Sequence, residues 1–234
     1  MFNLKSITDR IKAIVDKEGF ASLFKRASMY LIHKIIIYEN YYLMENSLKD
    51  LKEDPDDFVP NLPNLSHRFV KTNQEANQVA CEFCEFRSYS LNAYDRLDKG
   101  AMAFCIFIGT DLAYICWTAM TEEAKKTVTD FPYKINFNGK NVFAGSEFTS
   151  PKYRRKGLSI HGRLLQDRFL KEIGINKKYG ELKKNDLIAM KAKTESRYKI
   201  YADCRYLKIL GLKLWKETQI SPPRPVSQML PHSK

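Results

Sequence analysis

Residues 101–120 constrain this chain more than any other stretch. They are mostly apolar and long enough to cross a bilayer, but Gly109-Thr110-Asp111 splits them. A membrane helix needs about 20 consecutive apolar residues. Two shorter runs around a turn predict a pair of buried antiparallel strands instead, at 101–108 and 112–119. The chain has 234 residues, 44 % of them hydrophobic, so it can bury a core without staples and is too apolar for wholesale disorder. No sustained repeat marks a solenoid or coiled coil.

Around this hairpin the pattern predicts an α+β domain over residues 65–217. His67–Val70 reads as a strand. Thr72 and Glu75 form a capping box that opens a helix. Residues 121–131 read as helix or loop. Asn138-Gly139 predicts a tight hairpin joining 133–137 to 142–149. A helix runs from Gly157 to about Ile173, with Gly174 as its C-cap. A short strand at 177–184, a helix at 186–193 and closing strands at 197–216 complete the domain. Upstream, Ser6 caps a helical pattern over residues 6–48, giving a helical arm at 1–48. Residues 49–64, acidic and with three prolines, read as a solvated linker. The proline-containing tail, 218–234, reads as mobile.

Five cysteines without a regular framework suggest a reduced, cytoplasmic protein. Cys81-x-x-Cys84 lacks the second pair that a zinc site needs, so a place on a packed helix is expected. Asp9, Asp16 and Glu18 argue against a leader peptide. No transmembrane helix and no metal are expected. The net charge is +12, and residues 141–220 hold 19 basic against 8 acidic residues. Such a surface attracts anions, whether a cofactor, an anionic membrane touched by residues 1–45, RNA or solvent counterions. The aromatic-basic interleaving of RNA modules is missing, so no specific nucleic acid is expected.

Residues 141–160, NVFAGSEFTSPKYRRKGLSI, carry the chemistry. A strand stops at Pro151, a basic run follows, then Gly157 opens a helix. The first amides of a helix lack internal partners, and the helix dipole adds positive charge there. Gly157 lets a ligand approach the backbone closely. Arg154, Arg155 and Lys156 add charge and donors. A pyrophosphate suits such a site. The Walker and Rossmann glycine patterns are both missing.

The run Arg154-Arg155-Lys156-Gly157-Leu158-Ser159 resembles motif A, [QR]-x-x-G-x-[GA], of the GNAT superfamily of acyl-CoA N-acyltransferases. Ser159 stands where Gly or Ala is usual. The order of elements over residues 66–216 is also similar to that family. The resemblance implies a mixed, mostly antiparallel sheet flanked by helices. It also implies transfer of an acetyl or other short acyl group from acyl-CoA to an amine, in a ternary complex and without metal. The backbone of Phe148 and Thr149 would pair with the pantetheine arm. The amides from Arg155 to Ile160, through Lys156, Gly157, Leu158 and Ser159, would cradle the pyrophosphate. Asn185 matches by order an asparagine that contacts pantetheine. Ile188 and Ala192 replace the family's usual small residue and tyrosine, so the general acid is unassigned.

Glu147, on the motif strand, is the candidate general base; a solvent-facing glutamate, or one salt-bridged near Arg154, is the alternative. Backbone amide near Phe148 would meet the developing oxyanion. His161 could touch phosphate or be an ordinary surface histidine. Tyr114, Trp117 and Tyr133 could line an acceptor pocket or simply pack. The rival functions are a non-catalytic basic module for nucleic acid or anionic lipid, and a degenerate acyltransferase that still binds CoA.

Overall fold

The computed structural model describes residues 36–49, 51–90, 92–194 and 197–229. In chain order the strands are β1 (Ile36–Ser47), β2 (Leu65–Val70), β3 (Ala101–Ile108), β4 (Asp111–Ala119), β5 (Asn141–Thr149), β6 (Lys177–Lys183), β7 (Lys199–Ile209) and β8 (Leu212–Pro225). The helices are α1 (Asn73–Glu82), α2 (Ala93–Asp98), α3 (Glu122–Val128), α4 (Leu158–Glu172) and α5 (Leu187–Thr194). The strands form one mostly antiparallel sheet in the order β2-β3-β4-β5-β6-β1-β7-β8. By compactness the described residues divide into a large unit, 41–204 with 217–229, and a small one, 36–40 with 205–216. In the small unit, Tyr206 and Trp215 pack with ring centroids 6.3 Å apart.

The β3–β4 hairpin is the centre of the core. Residues 101–107 and 112–119 are buried without exception, as expected for strands covered on both faces. On one face Tyr114 and Cys116 pack with Leu158 and Leu165 of α4. On the other, Trp117 lies 6.5 Å from the Phe86 ring and donates from Nε1 to Ser90 Oγ at 3.1 Å. Tyr114 and Trp117 are therefore core residues. The α1 capping box forms, with Thr72 Oγ1 accepting from the Glu75 N–H at 3.1 Å. Gly174 ends α4 in the left-handed conformation, φ 81°.

Several expectations are corrected. Residues 36–47 form strand β1, not the end of a helical arm; the rest of that arm, 1–35, lies outside the described residues. The run Ile36–Tyr42 is β-branched and aromatic, which suits a strand. From Tyr41 to Ser47, β1 pairs antiparallel with β6. Side chains on both of its faces are buried, which hides the alternation of a strand.

The acidic segment is no solvated linker. Pro55–Phe58 makes a 3-10 turn against α4, with Pro55 buried. Arg168 reaches both Asp54 and Asp56 at 3.5 Å, and Arg197 bonds Glu53 at 2.5 Å. His161 is not on the surface either. It is 3 % exposed, and its Nδ1 lies 3.1 Å from the Pro55 carbonyl oxygen.

Asn138-Gly139 makes no strand hairpin. Phe137–Gly139 is a 3-10 turn, because β5 already has β4 on one side and β6 on the other. The carbonyls of Asn136 and Gly139 take side-chain amides from Asn141 and Asn176, at 2.7 and 3.0 Å. Finally, β8 and a turn at Val226–Met229 replace the mobile tail as far as residue 229. Val226 is buried there with Met190 and Tyr198. Of the two spaced cysteines, Cys81 ends α1 and Cys84 lies just beyond it; both are free thiols.

Candidate functional site

The loop from β5 to α4 is pinned at its start. The Ser150 N–H donates to the Ala113 carbonyl at 2.9 Å. Tyr153 is buried and donates its hydroxyl to Asp111 at 2.8 Å, and Lys152 meets the same carboxylate at 2.7 Å. Arg154 folds back, its Nε donating to the Thr149 carbonyl at 3.1 Å. That carbonyl is therefore engaged, although sequence reasoning reserved it for a ligand.

Two left-handed residues then turn the chain into the helix, Arg155 at φ 61° and Gly157 at φ 79°. A Cβ added at Gly157 would meet nothing within 4 Å, so the space before it is open. The N–H groups of Ile160 and His161 both donate to the Gly157 carbonyl at 3.1 Å. Ile160's amide is thus consumed within the helix. The amides of Arg155, Lys156, Gly157, Leu158 and Ser159 donate to no backbone carbonyl among the described residues. Arg155 and Lys156 are exposed and meet no carboxylate among the described residues. Unspent amides beside two cations without carboxylate partners, Lys156 lying 5.7 Å over the Tyr153 ring, make an anion cradle at a helix N-terminus. Leu158 contributes only backbone, since its side chain is buried in the core.

Beside the loop the sheet opens. β5 and β6 run parallel, but their register ends after Asn141↔Lys177, Val142↔Lys178 and Phe143↔Tyr179. At Gly180 the strands are still close, since a Cβ there would lie 3.2 Å from the Ala144 carbonyl oxygen. Beyond it, the β5 edge from Gly145 to Thr149 has no β6 partner. Ser146, φ 53°, makes a bulge in β5 where its pairing with β4 shifts register. The gap leads from this bulge up to the anion loop.

On the α4 face of the gap sits Glu147. Lys193 of α5 meets its Oε2 at 3.1 Å. Burial raises the Glu147 pKa, but Lys193 and then Arg163 outweigh it, and the carboxyl is held below its ordinary value. Arg163 is buried on α4 and donates to the Ala192 carbonyl at 3.4 Å. Tyr198 is buried beside this cluster, its phenol pKa raised by burial. Asn185 lies exposed in the turn between β6 and α5, where Asp186 caps the helix by accepting from the Ala189 N–H at 2.9 Å. Ile188 is 85 % exposed.

The opposite face carries groups that the sequence reading did not single out, apart from Tyr133. Arg96 of α2 is buried over the Trp117 ring and donates to Ser146 Oγ at 2.9 Å. Thr129 Oγ1 lies 3.0 Å from both carboxylate oxygens of Glu181, and the Tyr133 hydroxyl donates to Oε2 at 3.4 Å. Burial pushes the Glu181 carboxyl up to about 7, against the pull of Thr129, Lys125 and Tyr133. Only the alternation of β6, with Lys178, Gly180 and Leu182 turned inward, hints that Glu181 faces this side.

No protein-family model and no curated protein matches the chain. Among solved structures it is similar to a GNAT-family acetyltransferase from Colwellia psychrerythraea, with TM-score 0.47, 11 % identity, and coverage of 89 % of this chain and 74 % of that one. It is also similar to the GCN5-related glucosamine N-acetyltransferase region of a fungal multi-domain GH3 β-N-acetylglucosaminidase, with TM-score 0.48, 14 % identity, and coverage of 78 % and 22 %. A Drosophila protein matches with TM-score 0.45, 12 % identity, and coverage of 83 % and 58 %. The chain thus spans under two thirds of the length of the fungal and Drosophila chains.

Proposed function

We propose that this chain is an acyl-CoA-dependent N-acyltransferase that moves an acetyl or other short acyl group to an amine. The observation that carries this reading is the gap beside β5, opening directly beneath a loop of unspent amides. The amides from Arg155 to Ser159, with the Arg155 and Lys156 side chains, hold the diphosphate. The arm lies along the unpaired edge of β5 at Phe148 and Thr149, with Asn185 at its flank. The thioester end then reaches the Ser146–Glu147 bulge, where a free backbone amide near Phe148 can receive developing negative charge. Glu147 contributes a fixed negative charge at this end. No metal is needed, since amine attack on a thioester requires only proton transfer and orientation.

The test is thermal. Acetyl-CoA should raise the melting temperature by mass action. Gly157→Glu places bulk and negative charge in the open space and should abolish the shift. An equal shift from random RNA or anionic lipid vesicles, untouched by Gly157→Glu, would instead identify a general polyanion-binding module. A CoA shift without thiol release, across a panel of amines, would mark a binder that has lost turnover.

A further inference from the structure

The gap has two faces and a carboxylate on each. Glu147 lies on the α4 face, tied to Lys193. Glu181 lies on the other face, two positions beyond Tyr179, the last residue of β6 that pairs with β5. Residues 127–133 form a strap on that far face. At one end the Thr127 carbonyl accepts from Arg96 Nε at 3.2 Å, while Arg96 holds the bulge residue Ser146. Further along, Thr129 and Tyr133 hold Glu181. The strap therefore connects the β5 bulge with Glu181. Thr129 also walls a cleft of about 410 Å³, lined by charged residues of both signs that include Asp95, Lys99, Glu123 and Lys126. Arg96, which holds Ser146, and Thr129, which holds Glu181, both line this cleft, so the proposed acceptor enters from this side.

We propose that Glu181 is the proton acceptor for the acceptor amine, while Glu147 keeps its charge. This inference rests on the acyl-transfer reading above. The ammonium of the acceptor gives one proton to Glu181. The freed lone pair forms the C–N bond to the thioester carbonyl carbon. The tetrahedral centre collapses, the C–S bond breaks and its electron pair leaves with sulfur. The thiolate takes the second proton from nitrogen, and Glu181 returns its own to solvent.

The environments of the two carboxylates support this division of labour. A base works best with a pKa near the working pH, and opposite shifts in two carboxylates separate their roles. Burial raises Glu181 to about 7, whereas Lys193 and Arg163 hold Glu147 low. The titratable groups facing Glu181 are Lys125 from α3, Asp130 and Tyr133 from the strap, and Cys204 from β7, with Tyr201 beside Tyr133. Lys125 is itself pinned to the Phe131 and Tyr133 carbonyls at 3.0 and 2.6 Å.

The experiment combines a carboxyl titration with kinetics. In the full-length protein labelled with ¹³C at the glutamate carboxyls, one resonance should titrate near 7 and vanish in Glu181→Gln. With acetyl-CoA and an accepted amine, kcat/KM should rise with pH through the same value. Glu181→Gln should lower kcat/KM on the order of 100-fold and flatten that limb, with the CoA-induced melting shift retained. Thr129→Val removes a donor that stabilises the carboxylate, so it should move the limb to higher pH; a purely structural role would not. The proposal is overturned if Glu181→Gln keeps both rate and limb. Should that variant not fold, a limb unmoved in Thr129→Val overturns it. A Glu181 resonance titrating below 5 overturns it without any turnover assay. A titration near 7 with no thiol release by the wild type would sink the acyl-transfer reading instead, and the proton-acceptor role with it.

Discussion

Lys193 reaches across from α5 to meet Glu147 of β5 at 3.1 Å, at the edge of the gap that opens between β5 and β6. The pair joins two elements that share no strand register, and it lies where the proposed cofactor arm would enter. Its energetics therefore bear on both folding and access.

Removing Lys193 should expose that coupling. Glu147 is held below its ordinary value, so the interaction stabilises the fold above the unfolded carboxylate pKa, about 4.3. The stabilisation is lost as pH falls through the lower folded value. Lys193→Met should cost about 1.5–3 kcal/mol at pH 7, with the difference from wild type shrinking toward pH 3. Urea unfolding at the two pH values measures it. A constant difference would mean that Lys193 acts through packing alone.

Glu181 should behave in the opposite sense. Its folded pKa, about 7, lies above the unfolded value, so the folded state favours the proton. That contribution is complete below about pH 4.3 and is lost as pH rises through 7. Glu181→Gln removes the ionisation, and should raise the melting temperature relative to wild type more at pH 8 than at pH 5. Equal effects at both would place the carboxyl in a wetter setting than the fold gives it.

Beneath α4 runs a buried polar chain. Lys178 and Asp167 form an ion pair with side chains 1 % and 3 % exposed. Gln166 Oε1 accepts from Lys178 at 3.3 Å, and Gln166 Nε2 donates to Thr118 at 3.0 Å. Asp167→Ala leaves the ammonium buried and should cost about 3–5 kcal/mol. Replacing both partners, as Asp167→Leu with Lys178→Met, should recover most of that loss. Equilibrium unfolding of the single and double variants would show whether the charge or the volume matters.

At Gly157 the conformation rather than the space demands glycine. A Cβ there touches nothing within 4 Å, but φ is 79°. Gly157→Ala should lose about 1–2 kcal/mol through the left-handed backbone, with the fold intact. Calorimetry without ligand separates this loss from a loss of the proposed CoA binding.

The sheet, the central hairpin and the strand-loop-helix of the anion site were legible because local pattern and final packing agree there. Gly109-Thr110-Asp111 turns a buried hairpin, and Pro151 to Gly157 spans a strand end and a helix start. Residues 36–47 misled because Tyr38 and Tyr42, four apart, imitate a helix stripe, while the pairing of Tyr41–Ser47 with β6 lies far along the chain and leaves no local mark. The acidic segment misled because its ion pairs lie far along the chain, from Asp54 to Arg168 and from Glu53 to Arg197. His161 and Glu181 share that difficulty. Their settings come from Pro55 and Thr129, which no local pattern links to them. Nothing in the local pattern singles out Arg163 or Lys193 on its helix, yet Arg163 is buried and Lys193 meets Glu147.

The three-residue register between β5 and β6 has a mechanical consequence. Two halves of one sheet meet there along a seam only as long as Asn141 to Phe143, and the rest of each half is stitched to its own neighbours. A chain-like ligand laid in the cleft would act as a surrogate strand, completing the laminate and stiffening the seam. Amides flanking it, from Gly145 to Thr149 and from Glu181 to Lys183, are then the places where hydrogen exchange should slow most on loading.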